Sequence, residues 1–267
     1  MTKDIDTKES IRIVTDNRFI VANGLDKLKL KERKLLYLAI SQVRKTDEYF
    51  YEYRINPKEF AKLMNIKPSH VYQEADEMTD SLMRAFISCD LSEGKSKKAR
   101  KYSLFNYIEY GNNSEIVFKL NADMAEFLLK LKKNFTQPLL NDFLKMNSPY
   151  SMAIWHLMQR EMHSHKPGAD VESNITFELS LDELRKVTGT TDKLKTIGNF
   201  KNRILDKAIR EIKDNCSVII TYENILEGRT VTGFRFTVKQ EVQYDVTKLD
   251  PGFVARVEAK AKELNRK

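Results

Sequence analysis

Cysteine is nearly absent. Two residues in 267 cannot build a disulfide framework, and neither belongs to a Cys/His cluster of zinc-finger spacing, which excludes redox and structural-metal scaffolds. A reducing compartment, the cytoplasm, is the expected setting. Glycine (9) and proline (6) are scarce, which removes collagen-like and low-complexity chains. The longest apolar run, residues 35–40, falls far short of the roughly 20 residues that span a bilayer. Residues 1–10 mix Lys3, Asp4, Asp6, Lys8 and Glu9 with no apolar centre, so neither a secretory signal nor a membrane segment is expected. Phosphate-cradling G-x-x-x-x-G-K-[ST] and G-x-G-x-x-G motifs are missing, as is any paired-carboxylate pattern of known spacing. The expectation is a chain with no catalytic residues, no cofactor and no metal.

What is present is a globular composition, 41% apolar, 10% aromatic and 31% charged, in a length that suits two domains. Lys and Arg number 46 against 38 Asp and Glu, a net charge of +8 that favours a polyanionic partner. Nucleic acid leads that class and an anionic membrane surface follows.

Hydrophobic spacing predicts a helix over about 25–44, with Leu36, Ala39, Ile40 and Val43 on its apolar side and Lys31, Glu32, Arg33, Lys34 and Arg44 elsewhere. A β-prone run at 49–55 leads to Asn56-Pro57, a cap and first-turn pair opening a short helix to about 64. A longer helix starts at Pro68-Ser69, its stripe Val71, Ala75, Met78, Leu82 and Phe86 spaced by 4, 3, 4 and 4. Strands at 87–91 and 102–110 flank a basic loop. Helix, short helix, helix and hairpin in that order predict a winged helix. A strand at 115–120, a helix at 121–132 and a packed connector at 134–147 complete this half.

The second half repeats the order. A helix at 152–162 and a loop at 163–173 precede a strand at 174–179. A short helix follows, with a capping box of Ser180 and Glu183, and ends at Thr188-Gly189-Thr190. A helix at 199–214 then leads to a hairpin, 217–222 and 230–239, around Glu227-Gly228-Arg229. The expected fold class is α+β: two tandem winged-helix domains related by a pseudo-twofold duplication, at 1–137 and 138–242, with a basic tail at 243–267. Residues 59–63 parallel 183–187 at an offset of 124, and Cys89 and Cys216 are each expected to open a first wing strand.

The informative segment runs from 193 to 213. It carries Lys193, Lys195, Lys201, Arg203, Lys207, Arg210 and Lys213 against Asp206 and Glu211. A helical wheel puts Arg203, Lys207 and Arg210 opposite the Ile204, Leu205, Ala208, Ile209 and Ile212 stripe, with Asn199 and Asn202 on the same open side. Such a face suits a major groove, because Arg and Lys donate to guanine O6/N7 and Asn pairs with adenine N6/N7. The alternative is a solvated basic face; the short helix before it and the hairpin after it favour recognition. Lys95, Lys97, Lys98, Arg100 and Lys101 fit either a phosphate-gripping wing or a charged turn, and Arg229 and Lys239 share those two readings in the second hairpin. On the long helix of the first half, Gln73, Glu74, Asp76, Glu77 and Asp80 repel phosphate, while Lys67, Ser69, His70 and Tyr72 at its start stay usable. That half is therefore expected to read bases less well and to serve assembly or regulation. His163-Ser164-His165 resembles the His-apolar-His metal motif of rolling-circle nicking enzymes, but its centre is Ser and it is predicted to lie in a loop, which argues against metal. Trp155 is expected in the core.

Three segments together resemble the iteron-binding plasmid replication initiators, the bacterial initiator Rep protein family. They are Asn17-Arg18-Phe19-Ile20, then Ser148-Pro149-Tyr150-Ser151 leading into Ile154-Trp155-His156-Leu157, and above all residues 200–212, which are similar to that family's recognition helix over their whole length. Where the family often has proline after a Leu-Asp pair, this chain has Lys207. The resemblance covers about residues 17–240. It implies two winged-helix domains that read successive major grooves of directly repeated double-stranded origin DNA as a monomer. It also implies a homodimer, formed through the first domain, that represses its own promoter, and a monomer that opens the origin with host DnaA and recruits the replicative helicase. A transcription regulator without a replication role is the runner-up, and a rolling-circle nicking enzyme comes third. Membrane attachment by the tail is disfavoured because its basic residues alternate with acids.

Overall fold

A computed structural model describes residues 2–6, 8, 10–90, 98–111, 115–164 and 174–240. The first part contains β1 (Thr2–Asp4), β2 (Thr15–Asp16), α1 (Asn17–Ile20), α2 (Leu30–Ser41), β3 (Glu52–Ile55), α3 (Pro57–Met64), α4 (Val71–Arg84), β4 (Phe86–Asp90), β5 (Ala99–Ser103), β6 (Phe105–Glu109), β7 (Ile116–Leu120), α5 (Ala125–Leu128), β8 (Phe135–Thr136) and α6 (Leu140–Lys145). The long helix α7 (Pro149–Ser164) leads into β9 (Ile175–Ser180), α8 (Leu181–Val187), α9 (Ile197–Phe200), α10 (Asp206–Cys216), β10 (Val218–Glu227) and β11 (Thr230–Gln240). A π turn over Lys201–Leu205 joins α9 to α10, so the chain is helical without a break from 197 to 216. Each half is a winged helix: α2, α3, α4 and the β4–β5 hairpin in the first, and α7, α8, the 197–216 rod and the β10–β11 hairpin in the second.

The caps follow from residue chemistry. Asn56 accepts from Lys58 N at 2.9 Å and Pro57 occupies the first turn of α3. Ser180 Oγ accepts from Glu183 N at 3.1 Å. The Glu183 carboxylate reaches Arg160 at 2.8 Å instead of closing the predicted box, and so ties α8 to α7.

Several boundaries depart from the sequence expectation, each for a physical reason. The helix predicted at 25–44 is a 3₁₀ turn at Leu25–Lys27 followed by α2 from residue 30, where the Glu32 carboxylate accepts from Lys29 N at 2.9 Å. Glu32, Arg33 and Lys34 are buried, because α2 is packed by α3, α4, α6 and β7. The Arg33 guanidinium donates to the Leu25 carbonyl, and Lys34 Nζ donates to the Leu144 carbonyl at 2.7 Å. Phe86 does not extend the α4 stripe: the backbone straightens at Ala85, and Phe86 opens β4 as a 39% exposed residue with Lys101 Nζ over its ring. The predicted strand 102–110 is two strands, since burial of both Leu104 and Phe105 breaks the two-residue alternation. β5 stays with β4, and β6 joins the sheet ordered β1-β3-β7-β6. The helix predicted at 121–132 ends at Leu128, before the left-handed Lys130. Cys216 closes α10 and Cys89 lies inside β4, so neither opens a wing strand. The connector 134–147 is packed, as expected: β8 pairs with β2, and Phe143 is fully buried.

One continuous apolar core runs through both halves. Its axis is α7, buried on every side from Ser151 to Met158 and packed against α1 and β8 on one flank and α8, β9 and α10 on the other. Trp155 is buried there and donates to Asp142 Oδ2 at 3.3 Å. His156 sits between Thr15 Oγ1, 3.1 Å from Nε2, and Tyr37 OH, 2.9 Å from Nδ1. Burial first, then the nearby Arg33 and Arg160 guanidinium groups, push its pKa down to about 3. A second contact between the halves is set by Gly189, whose φ of +61° is left-handed and whose Cβ, were there one, would lie 2.9 Å from Asp26 Oδ2.

The lowered His156 pKa fixes a pH dependence. The native state holds the ring neutral while the unfolded chain protonates it near pH 6.5, so this stabilisation is complete above pH 6.5 and is lost as pH falls toward 3, by up to about 1.4 kcal/mol per unit. Urea denaturation between pH 7.5 and 4 is expected to show that slope, and His156→Gln is expected to flatten it. Tyr37→Phe leaves His156 Nδ1 without its partner and is expected to cost about 1–3 kcal/mol by the same assay.

Candidate nucleic-acid interface

The rod 197–216 presents two chemically distinct faces. Phe200, Ile204, Leu205, Ala208, Ile209 and Ile212 are buried, while Asn199, Asn202, Arg203, Lys207, Arg210 and Lys213 are exposed. Thr196 caps the start, its side chain accepting from Asn199 N at 3.4 Å, and Gly198 beside it has open space where a Cβ would stand. The two acids in the rod's basic stretch turn inward. Asp206 accepts from Tyr222 OH at 2.5 Å, and Glu211 accepts from Asn147 N at 2.5 Å. Among the described residues, Lys193, Lys195, Arg203, Lys207, Arg210 and Lys213 are exposed and none makes an ion pair. Cations elsewhere are often paired, such as Arg54 with Asp4, Arg84 with Asp80 and Arg235 with Glu178. The outer face of the rod thus carries uncompensated positive charge beside two amides.

Lys201 differs from its neighbours. Its Nζ lies 5.1 Å over the Tyr222 ring and 3.3 Å from Asn224 Oδ1, so it braces the rod against β10. The sequence could not show this, because Tyr222 arrives from the following strand.

The turn ahead of the rod is organised by a residue that sequence reasoning missed. Arg185, buried at the end of α8, donates from Nη1 to the carbonyls of Thr190 (3.1 Å) and Lys193 (3.0 Å), and from Nη2 to those of Leu194 (3.0 Å) and Lys195 (3.1 Å). Its guanidinium also packs 4.9 Å from the Phe200 ring. These bonds fix four carbonyls on one side of the turn and hold Leu194 in the left-handed region at φ 51°, while Lys193 and Lys195 stay exposed. No local pattern announces the role, since the carbonyls it gathers lie 5 to 10 residues away.

The wings are unequal. β10 and β11 form a long hairpin whose tip holds Gly228 at φ +59° and the exposed Arg229. Lys239 pairs in register with Ile219 at the base of that hairpin, away from the tip. In the first wing, Arg100 is exposed opposite Cys89, and Lys98 is exposed at the entry to β5. Lys95 and Lys97 lie outside the described residues. Ser69 and His70 are exposed in the turn Pro68–His70 that leads into α4. The acids of α4 are largely engaged: Glu74 with Lys31 at 2.6 Å, Asp80 with Arg84 at 2.9 Å, and Asp76 with the Tyr110 hydroxyl. His163 is not in a loop but in the last turn of α7, its ring 5.7 Å from Phe135, and His165 lies outside the described residues. Among the described residues no group of three His, Cys, Asp or Glu side chains is placed to hold a metal, and no helix is long and apolar enough to cross a membrane.

Comparison with known proteins gives this architecture a family. A family model described as "Initiator Replication protein, WH1" matches residues 12–159, and one described as "Initiator Rep protein, WH2" matches residues 180–238. The chain belongs to the initiator replication protein family. Within it, this initiator is 24% identical to the "PI protein" of Escherichia coli over 282 aligned residues, covering 94% of this chain and 89% of the relative. Among solved structures, the Pi initiator protein in complex with iteron DNA matches with a TM-score of 0.71 at 20% identity, over 89% of this chain and 100% of that one. Domains 2 and 3 of RctB match with a TM-score of 0.45 at 11% identity, over 80% of this chain and 83% of that one. The first of these structures supports the two-winged-helix fold along nearly the whole chain.

Arg185→Lys is expected to keep the charge but lose the fork that reaches four carbonyls. Hydrogen exchange should then show amides 190–196 opening at least about tenfold faster, equivalent to roughly 1.4 kcal/mol, while α7 stays protected.

Proposed function

We propose that this initiator starts plasmid replication by binding directly repeated double-stranded origin DNA. The 197–216 rod would sit in the major groove, and the first winged helix would make a secondary contact. The observation that carries this reading is the set of cations unpaired among the described residues, Lys193 and Lys195 in the turn and Arg203, Lys207, Arg210 and Lys213 on the outward face of the rod, whose Asp206 and Glu211 are engaged elsewhere. Arg203, Lys207, Arg210, Asn199 and Asn202 are the base-reading and groove-facing set. Lys193, Lys195, Arg229, Lys98 and Arg100 meet phosphates, with Ser69 and His70 at the start of α4. Lys95 and Lys97 are assigned to the first wing by sequence alone. Lys201 belongs to the interface through its brace on Tyr222.

In this proposal the first domain, residues 1–137, supplies dimerisation and regulation, residues 138–242 supply the main recognition, and the tail is 243–267. The homodimer represses the initiator's own promoter, and the monomer acts with host DnaA and the replicative helicase at the origin. Its place is the bacterial cytoplasm, on DNA, and it does no bond chemistry of its own.

A footprint on DNA flanking the initiator's own gene tests the reading. Protected direct repeats, each about two helical turns long, are expected, since two reading heads on one face lie about 10–10.5 bp apart. A single inverted repeat at the promoter would reduce the function to repression, and no protection would sink DNA reading altogether. With the five cations Lys193, Lys195, Lys98, Arg100 and Arg229 on phosphates, the slope of log affinity against log salt is expected to be about −4.5, from about 0.9 per contact. Arg203→Ala is expected to cost about 1–3 kcal/mol on the repeat with relaxed base preference, measured by competition binding. Supercoiled origin DNA incubated with the protein and a divalent metal is expected to stay unnicked.

A further inference from the structure

One edge of the first sheet is closed by an unusual strand. β1 is three residues long and runs parallel to β3, while the β3–β7 and β7–β6 pairs are antiparallel. Side chains between α2 and β3 hold it by its main chain and by one of its cations. Gln42, 6% exposed, grips both backbone groups of Asp6: its Oε1 accepts from Asp6 N at 2.7 Å, and its Nε2 donates to the Asp6 carbonyl at 3.0 Å. Ser41 Oγ and the Leu38 carbonyl fix that amide in turn, at 2.9 and 3.3 Å. Asp47, 5% exposed, receives Lys3 Nζ at 3.1 Å, and its other oxygen accepts from Arg44 N at 2.9 Å. Lys3 also lies 3.3 Å over the Tyr51 ring. Between these anchors, Ile5 N donates to the Arg54 carbonyl at 3.1 Å. A groove of about 770 Å³ continues alongside, lined by residues of the segment itself together with Gln42, Arg44, Lys45 and Tyr53.

This arrangement reads main chain at two places and one cation between two others of its contacts, which is the chemistry of strand addition. The strand that fills it is held by few bonds over a short length, and such edges sit at the low-stability end of a fold. We propose that the β3 edge, Gln42, Asp47 and Tyr51 form a strand-docking groove. Residues 2–6 fill it as a detachable strand, and the partner that competes for it is the same segment of a second copy of this chain. The argument for a second copy is chemical identity. The groove takes an extended segment with a cation three residues before the one Gln42 grips, and every copy carries that segment in Lys3 and Asp6. Exchange replaces each bond by an identical one, so its cost is that of association alone, as in strand swapping. Tethering keeps the chain's own strand in place at low concentration, because a short link holds it at an effective concentration of about millimolar. This deepens the proposed self-association of the first domain and rests on it.

The test uses the full chain and a fluorescent peptide copying residues 1–12. The Lys3→Glu chain, whose own strand is loosened, is expected to capture the peptide about tenfold more tightly than the parent chain, and adding Gln42→Ala to that chain is expected to weaken this capture about tenfold, because the peptide then loses the grip on Asp6 with little competition from the chain's own strand. The peptide carrying Lys3→Glu should bind the parent about tenfold more weakly than the unaltered peptide. In sedimentation, saturating peptide should lower the dimer fraction of the parent chain. Equal capture by the parent and Lys3→Glu chains, or no preference for Lys3 in the peptide, overturns the groove. A dimer fraction unmoved by saturating peptide overturns exchange with a second copy, and if that dimer persists, self-association itself survives through another surface.

Discussion

An imidazole sealed away from water fixes the centre of this molecule. His156 lies on a helix with no solvent-facing side over eight residues, and its two nitrogens meet a threonine from β2 and a tyrosine from α2. A buried polar group of this kind is costly unless satisfied and strongly orienting when it is. The register of α7 against the first half is therefore set by hydrogen bonds and not by apolar packing alone. Through Arg160 and Glu183, the same helix then places α8, and with it the turn and the rod of the second half. The order of dependence runs from a neutral histidine in the core to the direction in which a basic helix faces.

Charge in the second half is sorted by strut and surface. Asp206 and Glu211 are spent on a tyrosine hydroxyl and a backbone amide, and Arg185 is spent on four carbonyls. What is left over on the outside is almost wholly cationic until Asp214. That face carries few carboxylates, so the modest net charge of the chain understates the local field there.

Much of this was legible in the sequence, and the failures share a cause. The stripe Ile204, Leu205, Ala208, Ile209 and Ile212 is buried as its spacing required, which also placed Arg203, Lys207 and Arg210 outside. Asn56-Pro57 and Ser180 capped the helices they were expected to cap, because those signals act within three residues. Periodicity failed at Glu32, Arg33 and Lys34, where a helix is covered all round, Glu32 accepts from Lys29 N, and the Arg33 and Lys34 heads find carbonyls; the partner of Lys34 is 110 residues away. It failed at Phe86 because an apolar residue one turn past a helix looks the same whether the helix continues or a strand begins. The brace of Lys201 on Tyr222 and the role of Arg185 were overlooked because their partners are set by the fold and not by the neighbouring sequence. The family resemblance supplied the pairing of the two halves, which composition and spacing alone left open.

The close approach of Gly189 to Asp26 has a consequence beyond steric fit. With α7 shared by both halves and Gly189 packed closely on Asp26 at this second contact, the two winged helices are joined at two separated points instead of by a linker alone. A body joined in that way behaves as a caliper. If each winged helix enters a groove, as proposed, the number of base pairs between the grooves becomes as informative as their identity, since one added pair shifts the second groove by about 3.4 Å along the axis and turns it by roughly 34°. Spacing is then read by stiffness, at positions no side chain has to touch.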